Sequence, residues 1–421
     1  MMPKAPVEDR HLAFLLDHLG AGGVQKMAIS LALKLLARGH RVDLVVCESE
    51  GPLLAGLPPG IRLFKLERRN PVTARLVALL ADPGGLGALL RPILLSPRVP
   101  DVVLYTAGLA NYLRHQKPDA LIAATRLLNL AAVWAARLAG GSTRVLVSEH
   151  NPPSLALAGS RRWRRRYLPP LMARTYQCAD AIIAVSRGVA VDLADLTGLP
   201  AERIHTIYNP AVSEDITLMA RMPLSHPWFA PGEPPVILGV GRLVEQKDFP
   251  TLIRAFARLR RLRPARLVIL GGGKDAATTK VAHAALLQTA VASGVGGDIA
   301  LPGFISNPFA FMARAAIFVL SSRYEGLPTV LIEALACGCP VVSTDCPGGA
   351  REILDDGRYG ELVPVGDDAA MVDAILRTLD RSRDSERLIA HSEVFSTARA
   401  ADAYLKALST RPVLASAGIP R

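Results

Sequence analysis

Cysteine is scarce in this sequence of 421 residues, and it is not arranged to bind a metal. The cysteines are Cys47, Cys178, Cys337, Cys339 and Cys346. Cys337 and Cys339 are separated by one glycine, without the second pair or the nearby histidine that a zinc site requires. The pattern indicates small buried thiols in a reducing cytoplasm, and argues against both a disulfide framework and a zinc site.

Long apolar stretches and a signal sequence are also lacking. No run of 18 uncharged apolar residues occurs, and the best candidate, 118–141, is interrupted by Arg126 and Arg137. The N-terminus is polar, with KAPVEDR at 4–10, and resembles no secretory signal. With 50% apolar and 20% charged residues, the chain is not of the disordered class. We therefore expect a folded protein that is soluble or attached to a membrane surface.

Positive charge is in excess and is unevenly distributed. The formal net charge is +12. Residues 1–215 hold 26 Lys and Arg against 17 Asp and Glu, a net +9, whereas the remainder holds 23 against 20, a net +3. The first half is therefore expected to meet an anionic partner. Charge alone leaves nucleic acid, anionic lipid and a phosphorylated substrate open.

Segments typical of strands and helices alternate in two series. The first series opens with the strand-like HLAFLLDHL (11–19), a GAGG turn, an apolar helical pattern and RVDLVVCE (41–48). Its further strand-like segments are 119–124, 144–150, 180–186 and 204–210. Those of the second series are 236–243, 266–273, 298–304, 316–322 and 340–345. Alternation of this kind predicts parallel sheets covered by helices.

The two series predict two domains of an α/β protein, each Rossmann-like, with parallel sheets that face each other across a cleft. The predicted ranges are an N-terminal domain over 1–210, a linker rich in proline and polar residues over 211–234, a C-terminal domain over 235–390, and a C-terminal helix and tail over 391–421 that packs back on the first domain. Ligands bind beyond the carboxyl ends of such strands, so the loops there hold the candidate functional residues.

Two of these loops have features suited to a phosphate. The glycine turn at 20–23 lets a substrate approach a helix N-terminus closely, although a tight turn alone would explain it equally well. It is not the G-x-G-x-x-G pattern of dinucleotide-binding proteins. Arg242 and Lys247 follow a predicted strand, and two cations there suit a diphosphate. Taken alone, they would more often be solvated loop charges.

The stretch SSRYEGLPTVLIEALACGCP (321–340) carries two glutamates eight positions apart. Glu325 lies on the loop before a predicted helix, and the 326–329 turn presents backbone N–H groups and the positive end of the helix dipole. Glu333 stands among apolar residues and requires a partner, either ribose hydroxyls or an arginine on the helix face. Both readings follow from the residue types alone.

Two further features lie in the first half. His150 ends the strand-like RVLVSEH, where it either faces the cleft or is a structural histidine. The segment SRRWRRRYLPPLMAR (160–174) contains six arginines with Trp163 and Tyr167. It is either a solvated basic helix or a site for anionic lipid headgroups or a lipid-linked diphosphate. Nucleic acid is not expected as a partner, because no nucleic-acid module accompanies the charge.

Together these motifs resemble the retaining glycosyltransferases of family 4, which have the two-domain glycosyltransferase B (GT-B) fold. The motifs that match are the glycine turn, SEHN (148–151), VSRGVAVDL (185–193), IYNP (207–210), VGRLVEQKDFPTLIRAF (240–256), VILGGG (268–273) and SSRYEGLPTVLIEALACGCPVVSTDCPGGAREIL (321–354). Their order and spacing agree over about 10–410. The first half is similar to members that build bacterial lipopolysaccharide cores and surface glycans.

The resemblance implies roles for individual residues. Arg242 and Lys247 would hold the donor's diphosphate, Glu333 would bind the ribose, and Glu325 and His150 would contact the donor sugar. Backbone and loop contacts to the donor are implied for Gly22, Gly23, Gly303, Phe304, Ile305, Gly326, Leu327, Pro328 and Thr329, with the base near 303–305. The resemblance leaves open whether Glu325 forms a covalent adduct or only orients the donor.

The function implied is transfer of a hexosyl or N-acetylhexosaminyl group, with retention of configuration, from a UDP- or GDP-sugar to a lipid-linked, lipopolysaccharide or exopolysaccharide acceptor. A nucleotide-sugar epimerase, a phosphorylase or a non-catalytic binding protein on the same fold are the alternatives. The chain has no D-x-D triplet, so we expect no metal at the diphosphate and no cofactor besides the donor substrate. The expected location is the cytoplasmic face of the bacterial inner membrane, as a peripheral protein.

Overall fold

The computed structural model describes residues 9–20, 22–158, 162–273 and 275–410, with only the backbone for 162–165. The described chain forms two compact units. One holds the residues up to Pro210 together with those from Thr397 on, and the other holds Ala211–Ser396. Each unit contains one parallel sheet with helices around it, as the alternation of segments predicted.

The sheet of the first unit has seven strands within the described residues. They are β1 (His11–Leu16), β2 (Arg41–Val46), β3 (Arg62–Lys65), β4 (Ala120–Ala123), β5 (Arg144–Glu149), β6 (Ala181–Ala184) and β7 (Ile204–Thr206). Their spatial order is β3-β2-β1-β4-β5-β6-β7, and every pair is parallel. The order reverses between β1 and β4, which is where such sheets bind their ligands.

The second sheet repeats this plan with six strands in the described chain. They are β8 (Val236–Val240), β9 (Arg266–Leu270), β10 (Ile299–Gly303), β11 (Ile317–Leu320), β12 (Val341–Thr344) and β13 (Glu361–Val363). The order is β10-β9-β8-β11-β12-β13, with a reversal between β8 and β11. The loops after β8 and β11 are therefore neighbours at the carboxyl edge, although some 80 residues separate them in sequence.

Helices connect the strands in both units. In the first unit they are α1 (Gly23–Leu36), α2 (Pro71–Ala81), α3 (Leu86–Leu89), α4 (Thr106–Gln116), α5 (Arg126–Ala139), α6 (Pro153–Ala158), α7 (Arg162–Tyr176) and α8 (Arg187–Thr197). In the second they are α9 (Asp215–Arg221), α10 (Phe249–Leu262), α11 (Ala276–Ala292), α12 (Phe309–Arg314), α13 (Thr329–Ala336), α14 (Ala350–Ile353), α15 (Asp368–Leu379) and α16 (Ser385–Ser392). The last is α17 (Thr397–Ser409).

Helix α10 shows how sequence pattern becomes packing. Its buried side chains include Leu252, Ile253, Phe256 and Leu259, which recur at helical spacing and join the core of the second sheet. Its arginines face outward. Burial of each large apolar side chain contributes about 1.5–3 kcal/mol, so this stripe anchors the helix that follows the loop of Arg242 and Lys247.

The segment predicted as a linker, 211–234, is folded into the second unit. Its helix α9 packs on α12, where Asn307 Nδ2 donates to the Met219 carbonyl oxygen at 2.9 Å. The N–H groups of Ala211 and Val212 both donate to the Phe395 carbonyl oxygen, at 3.1 and 3.2 Å. The chain therefore enters and leaves the second unit side by side. Polar, proline-rich composition reflects a surface segment here, not a free connection.

The C-terminal part divides at Ser396, later than the predicted boundary at 390. Residues up to Ser396 stay with the second unit, whereas α17 packs on α1 of the first unit. Ala401, Tyr404 and Leu408 join the apolar core there, and Asp402 accepts from Arg38 at 2.7 Å. The periodic apolar face of α17 explains why the chain returns to the first sheet.

No single helix among the described residues has the length and hydropathy to cross a bilayer. One bent pair, Pro71–Ala81 with Pro83–Leu94, meets the criteria by length and composition only, and its two arms are inclined by 103°.

Candidate active site

The loop after β8 is shaped around Lys247. At Gly241, a Cβ atom would lie 3.1–3.4 Å from the Cε, Cδ and Cγ atoms of Lys247, so the glycine gives this side chain room to pass. The next residue, Asp248, adopts left-handed backbone angles (φ 46°, ψ 44°), which are uncommon for a non-glycine residue. Its buried carboxylate accepts from Thr251 Oγ1 at 2.9 Å and stabilises the turn into α10. Strain of this kind is concentrated at functional loops.

Lys247 and Glu325 form an ion pair at the carboxyl edge of the second sheet. Lys247 Nζ lies 2.6 Å from Glu325 Oε1, and the two side chains are only 12% and 8% exposed. Ser322 Oγ donates to the same Oε1 at 2.6 Å. Both contacts involve Oε1, and no described residue donates to Oε2. A pair so little exposed is costly to break on one side, because the remaining charge would be left without a partner.

The backbone of the two loops is joined beneath this pair. Arg323 N–H donates to the Gln246 carbonyl oxygen at 2.8 Å, and Gln246 Nε2 donates to the Tyr324 carbonyl oxygen at 2.9 Å. Gly348 has φ +117°, and a Cβ there would lie 1.6 Å from the Glu325 carbonyl oxygen. Only glycine fits at that position, so three loops meet at Glu325 with little freedom.

Arg242 lies on the same loop as Lys247 but is exposed. Within the described residues its guanidinium makes no ion pair and no hydrogen bond. An arginine near the positive end of a helix, with an unused fork of N–H groups, is suited to a divalent anion such as a diphosphate. Arg242 and Lys247 thus lie on one loop, one cation open to solvent and one held by a carboxylate.

Helix α13 begins directly after this ion pair. Gly326, Leu327 and Pro328 are buried, and the helix starts at Thr329 with Pro328 as its N-cap. No side chain caps the N-terminus, and its first N–H groups have no intrahelical acceptor. Glu333, in the second turn, is half-buried.

The predicted base-binding loop follows β10. Gly303 adopts φ +87°, and its carbonyl oxygen accepts from Gly271 N–H at 2.8 Å, which ties this loop to the one after β9. Phe304 then turns outward with its side chain 68% exposed, and Ile305 is partly buried. The ring of Phe304 thus offers a flat apolar surface on a constrained loop.

In the first unit, His150 follows the last residue of β5. Its Nε2 lies 2.7 Å from Ser148 Oγ, whereas Nδ1 is buried and contacts no hydrogen-bonding partner among the described residues. Burial lowers the pKa of His150 to about 4, so the imidazole is neutral at pH 7. Tyr404 of α17 is hydrogen-bonded to the Ser148 side chain. The C-terminal helix thereby supports the serine that orients the histidine.

Behind His150 lies a second buried polar group. Glu149 Oε1 accepts from Tyr176 Oη at 2.5 Å and from Asn129 Nδ2 at 3.4 Å. Burial raises the pKa of Glu149, against the opposing effect of Arg126. Asn129 Nδ2 also donates to the Ser148 carbonyl oxygen at 2.9 Å. This network fixes the end of β5, from which His150 projects.

The glycine turn lies at the start of α1. Gly22 is the N-cap, and a Cβ there would lie 2.4 Å from Gln25 Oε1, whereas Gly23 has open space around it. Gln25 Nε2 in turn donates to Asp17 Oδ1 at 3.0 Å. The α1 N-terminus has no side-chain cap, as the phosphate interpretation of the turn requires.

The structure thus brings the predicted residues together in two groups. In the second unit, Arg242, Lys247, Glu325 and the 326–329 turn share one sheet edge. In the first unit, His150 and the glycine turn share the carboxyl edge of the other sheet. Sequence reasoning missed Ser322, Ser148 and Gly348. For Ser322 and Ser148 the only sequence signal is their position, three residues before Glu325 and two residues before His150. Among the described residues, no cluster of His, Cys, Asp or Glu could hold a metal ion.

Two family models match this chain. The one described as Glycosyltransferase Family 4 matches residues 21–214, and the one described as Glycosyl transferases group 1 matches 234–381. The first match lies in the first unit apart from its last residues, and the second lies within the second unit. They confirm the resemblance inferred from the motifs.

Individual proteins with glycosyltransferase names also match this chain. The chain is 32% identical over 245 residues to the N-acetylgalactosamine-N,N'-diacetylbacillosaminyl-diphospho-undecaprenol 4-alpha-N-acetylgalactosaminyltransferase of Campylobacter jejuni, a match that covers 58% of this chain and 63% of that protein. It is 29% identical over 320 residues to the lipopolysaccharide core biosynthesis glycosyltransferase LpsE of Rhizobium meliloti, covering 74% and 82%. The first match therefore spans less than two thirds of the length of the Campylobacter protein.

Solved structures share the fold. The crystal structure of Anabaena HepE, in complex with UDP, matches with a TM-score of 0.71 at 18% identity, over 95% of this chain and 99% of that chain. At this identity the likeness concerns the fold alone, and it confirms the predicted α/β class and GT-B architecture. With both family matches, it leads to one conclusion: the chain belongs to the family 4 glycosyltransferases of the GT-B fold.

Proposed function

We propose that this glycosyltransferase moves a hexosyl or N-acetylhexosaminyl group, with retention of configuration and without a metal, from a UDP- or GDP-sugar to a lipid-linked, lipopolysaccharide or exopolysaccharide glycan. The observation that carries the proposal is the Lys247–Glu325 ion pair, with Lys247 Nζ at 2.6 Å from the carboxylate, together with the exposed Arg242 on the loop of Lys247. This edge of the sheet is chemically suited to a nucleotide diphosphate and the sugar attached to it.

The two cations divide the work of holding the diphosphate. Lys247 has three N–H donors, of which one contacts Glu325, leaving two for phosphate oxygens. Arg242 offers a planar fork from the solvent side. The uncapped N-terminus of α13, at 326–329, adds backbone N–H groups and the positive end of a dipole. In the first unit, Gly22 and Gly23 would allow the phosphates to come close to the N-terminus of α1.

The remaining donor contacts follow from the same geometry. Glu325 Oε2 is the oxygen left for the donor sugar, since Oε1 is engaged by Lys247 and Ser322. Glu333 would bind the ribose. Phe304, between Gly303 and Ile305, presents an exposed ring on which a base can stack. The neutral His150, with Nδ1 unpartnered, would hydrogen-bond a sugar hydroxyl from the first unit.

These positions suit the charge changes of glycosyl transfer. As the bond between the sugar and the diphosphate breaks, negative charge develops on the leaving oxygen and positive charge on the sugar ring. Fixed cations and a helix N-terminus stabilise the first, and such electrostatic stabilisation is usually the largest catalytic contribution. The Glu325 carboxylate stabilises the second, as carboxylates do for oxocarbenium-like states.

Relatives support the substrate classes. HepE has been solved with UDP and with UDP-glucose, which supports a uridine nucleotide as donor carrier. The name of the Campylobacter relative describes an undecaprenol-linked diphosphate acceptor, and that of LpsE describes lipopolysaccharide core synthesis. An acceptor of this kind is embedded in a membrane. We therefore infer a peripheral location on the cytoplasmic face of the inner membrane, with the 160–174 segment among the surfaces that meet anionic lipid.

Donor binding and turnover test the proposal. UDP-, GDP- and ADP-sugars are screened for thermal stabilisation, and each ligand that binds is then assayed with undecaprenyl-diphosphate glycans and lipopolysaccharide cores in EDTA. We expect a uridine or guanosine sugar to raise the melting temperature of the wild type and of Lys280→Ala, which removes an exposed lysine on α11, but not of Lys247→Ala. The anomeric configuration of the product, determined by NMR, reports retention.

Other results would identify the alternatives. Conversion of the donor in the absence of any acceptor would indicate an epimerase, and turnover that requires inorganic phosphate would indicate a phosphorylase. Complementation of a deletion strain by the Glu325→Gln variant would indicate a non-catalytic role. Equal stabilisation of the Lys247→Ala and Lys280→Ala variants by every nucleotide sugar would remove the diphosphate assignment.

A further inference from the structure

In helix α2 the large apolar side chains face solvent and the small ones face the core. Its small residues Ala74, Ala78 and Ala81 are buried, whereas its large residues Val72, Leu76 and Leu80 are 74%, 54% and 61% exposed. The exposed three recur every fourth position and form one stripe. A core helix such as α10 shows the reverse, with leucines inside and arginines outside. The large apolar side chains of α2 are therefore left in contact with water.

The apolar surface continues beyond α2. Leu86, Leu90 and Leu95 are also exposed, on α3 and the helical turn at 90–94 that follows it. Arg75 of α2 donates to the Ser96 carbonyl oxygen at 2.7 Å, which holds the end of this segment beside α2. We call the six exposed side chains at 72, 76, 80, 86, 90 and 95 the apolar face. Monomeric proteins rarely leave so large a cluster of aliphatic side chains in water without a partner.

The charges around the apolar face fit an anionic surface. Between 71 and 98 the chain has three basic residues, Arg75, Arg91 and Arg98, and a single acidic one, Asp82. Asp82 is buried and paired with Arg174 at 2.7 Å and Arg137 at 3.5 Å, so it presents no negative charge to a partner. The exposed charges of this segment are therefore Arg91 and Arg98, whereas Arg75 is half-buried, and the exposed Asp101 follows in the turn that packs on α2.

The apolar face is also continuous with the basic helix α7. Arg91 Nη1 donates to Tyr167 Oη at 2.8 Å, and its guanidinium lies 5.2 Å from the centroid of that ring. Both α3 and the turn at 90–94 contact α7. Exposed leucines beside the exposed Arg91 and Arg166 are the combination by which proteins bind the headgroup and acyl boundary of a bilayer.

We propose that the apolar face is a membrane-docking surface that enters the headgroup region of a bilayer containing anionic lipid, without crossing it. The bend of 103° between the two helical arms, Pro71–Ala81 and Pro83–Leu94, is compatible with lying in the interface. The proposal rests on the proposed function in one respect, a membrane-embedded acceptor. The apolar face begins after the carboxyl end of β3, and His150 follows β5 at the same edge of the sheet. Four strand spacings separate β3 from β5, which is a distance of about 19 Å.

Vesicle binding of a matched pair of triple variants tests the docking surface. In the first, Leu76, Leu80 and Leu90 are replaced by glutamine; in the control, Val281, Leu287 and Val291, exposed apolar residues of α11, are replaced likewise. Binding to vesicles of phosphatidylglycerol and phosphatidylcholine is measured by sedimentation. We expect at least a tenfold loss of partitioning in the first variant and little change in the control, since each leucine withdrawn from an interface weakens binding severalfold. Donor-induced thermal stabilisation without lipid checks that both variants are folded.

A depth probe distinguishes insertion from attraction by charge alone. Leu76→Cys and Val291→Cys, both in a Cys178→Ser background because Cys178 is exposed, are labelled with an environment-sensitive fluorophore. Quenching by lipid-borne quenchers at position 76 and not at 291 is expected. Equal binding of the two triple variants, or absence of quenching at 76, would overturn the proposal. So would a dimer that forms without lipid and is lost only in the first triple variant, because a second copy would then cover the face. Neither readout requires donor turnover or an acceptor. A failure of the docking proposal can therefore be distinguished from a failure of the proposed function.

Discussion

The carboxyl edges of the two sheets are built with opposite electrostatics. In the second unit the edge is charged: Lys247 and Glu325 lie 2.6 Å apart with little exposure, and Arg242 is exposed on the loop of Lys247. In the first unit the edge is neutral, since burial holds the pKa of His150 at about 4. The same type of sheet therefore carries an ion pair and an exposed cation at its edge in one unit and a neutral imidazole in the other.

The distribution of net charge would have suggested the reverse. The first half of the chain carries +9 and the second +3. However, several described arginines of the first half lie on helices and not on the loops at the sheet edge, among them Arg75 of α2 and Arg166 and Arg174 of α7. Net charge describes the partner that a whole surface attracts. A site for a single anion depends on two or three cations held in a particular geometry.

Replacement of Lys247 is expected to lower kcat/KM most, because Lys247 is part of the ion pair that distinguishes the second sheet edge from the first. Lys247→Ala withdraws a cation from the diphosphate and leaves Glu325 buried without its partner. We expect a loss of about 3–4 kcal/mol of transition-state stabilisation, by analogy with the loss of a preorganised donor at a developing anion. Steady-state kcat/KM with the best donor from the screen measures it. A Lys280→Ala control should remain at the wild-type value, and an equally active Lys247→Ala enzyme would contradict the assignment.

Removing Arg242 should have the next largest effect. Arg242 is exposed, so its contribution is weakened by water, and Arg242→Ala leaves no buried charge behind. We expect about 2–3 kcal/mol in kcat/KM. Arg261→Ala, which removes an exposed arginine of α10, is the matched control. Equal kcat/KM values for Arg242→Ala and Arg261→Ala would show that Arg242 is a solvated loop charge.

Much of this arrangement could be predicted from sequence, for a physical reason. Buried strands of a parallel sheet are continuous apolar runs, and eleven of them were visible with the loops that follow. The two strands that were missed, β3 and β13, lie at the edges of their sheets, where partial exposure breaks the run into RLFK and ELV. An edge strand carries less hydrophobic signal because only one side of it is paired.

The site itself was predictable only in outline. Glu325, Lys247 and His150 could be placed at strand ends by counting along the chain. The groups that fix them could not, because Gly348 meets the Glu325 carbonyl, and Tyr404 meets Ser148, across 23 and 256 positions in sequence. Contacts at such separations have no periodicity and depend on the finished fold. For the same reason the linker composition of 211–234 did not reveal its packing on α12.

The neutral state of His150 predicts a dependence of stability on pH. In the unfolded chain its pKa is about 6.5, and in the folded protein burial lowers it to about 4. Between these values the unfolded state binds the extra proton, so stability is complete above pH 6.5 and is lost as pH falls toward 4. Between pH 8 and pH 5 we expect His150 to account for about 2 kcal/mol of lost stability. Urea unfolding of the wild type and of His150→Gln at both pH values measures the difference; parallel losses would show that His150 titrates normally.

Replacing Ser148 should have the smallest effect and the most specific one. Ser148→Ala removes the hydrogen bond to His150 Nε2 and the partner of Tyr404, while the neutral ring and its charge state stay in place. A neutral hydrogen bond contributes about 1 kcal/mol, so we expect a five- to tenfold fall in kcat/KM. Ser148→Thr retains a hydroxyl and should recover most of the activity. A purely structural role for Ser148 would lower stability without changing kcat/KM in the folded enzyme. A fall in kcat with unchanged donor KM and melting temperature would instead assign Ser148 a positioning role, through the orientation of the His150 imidazole.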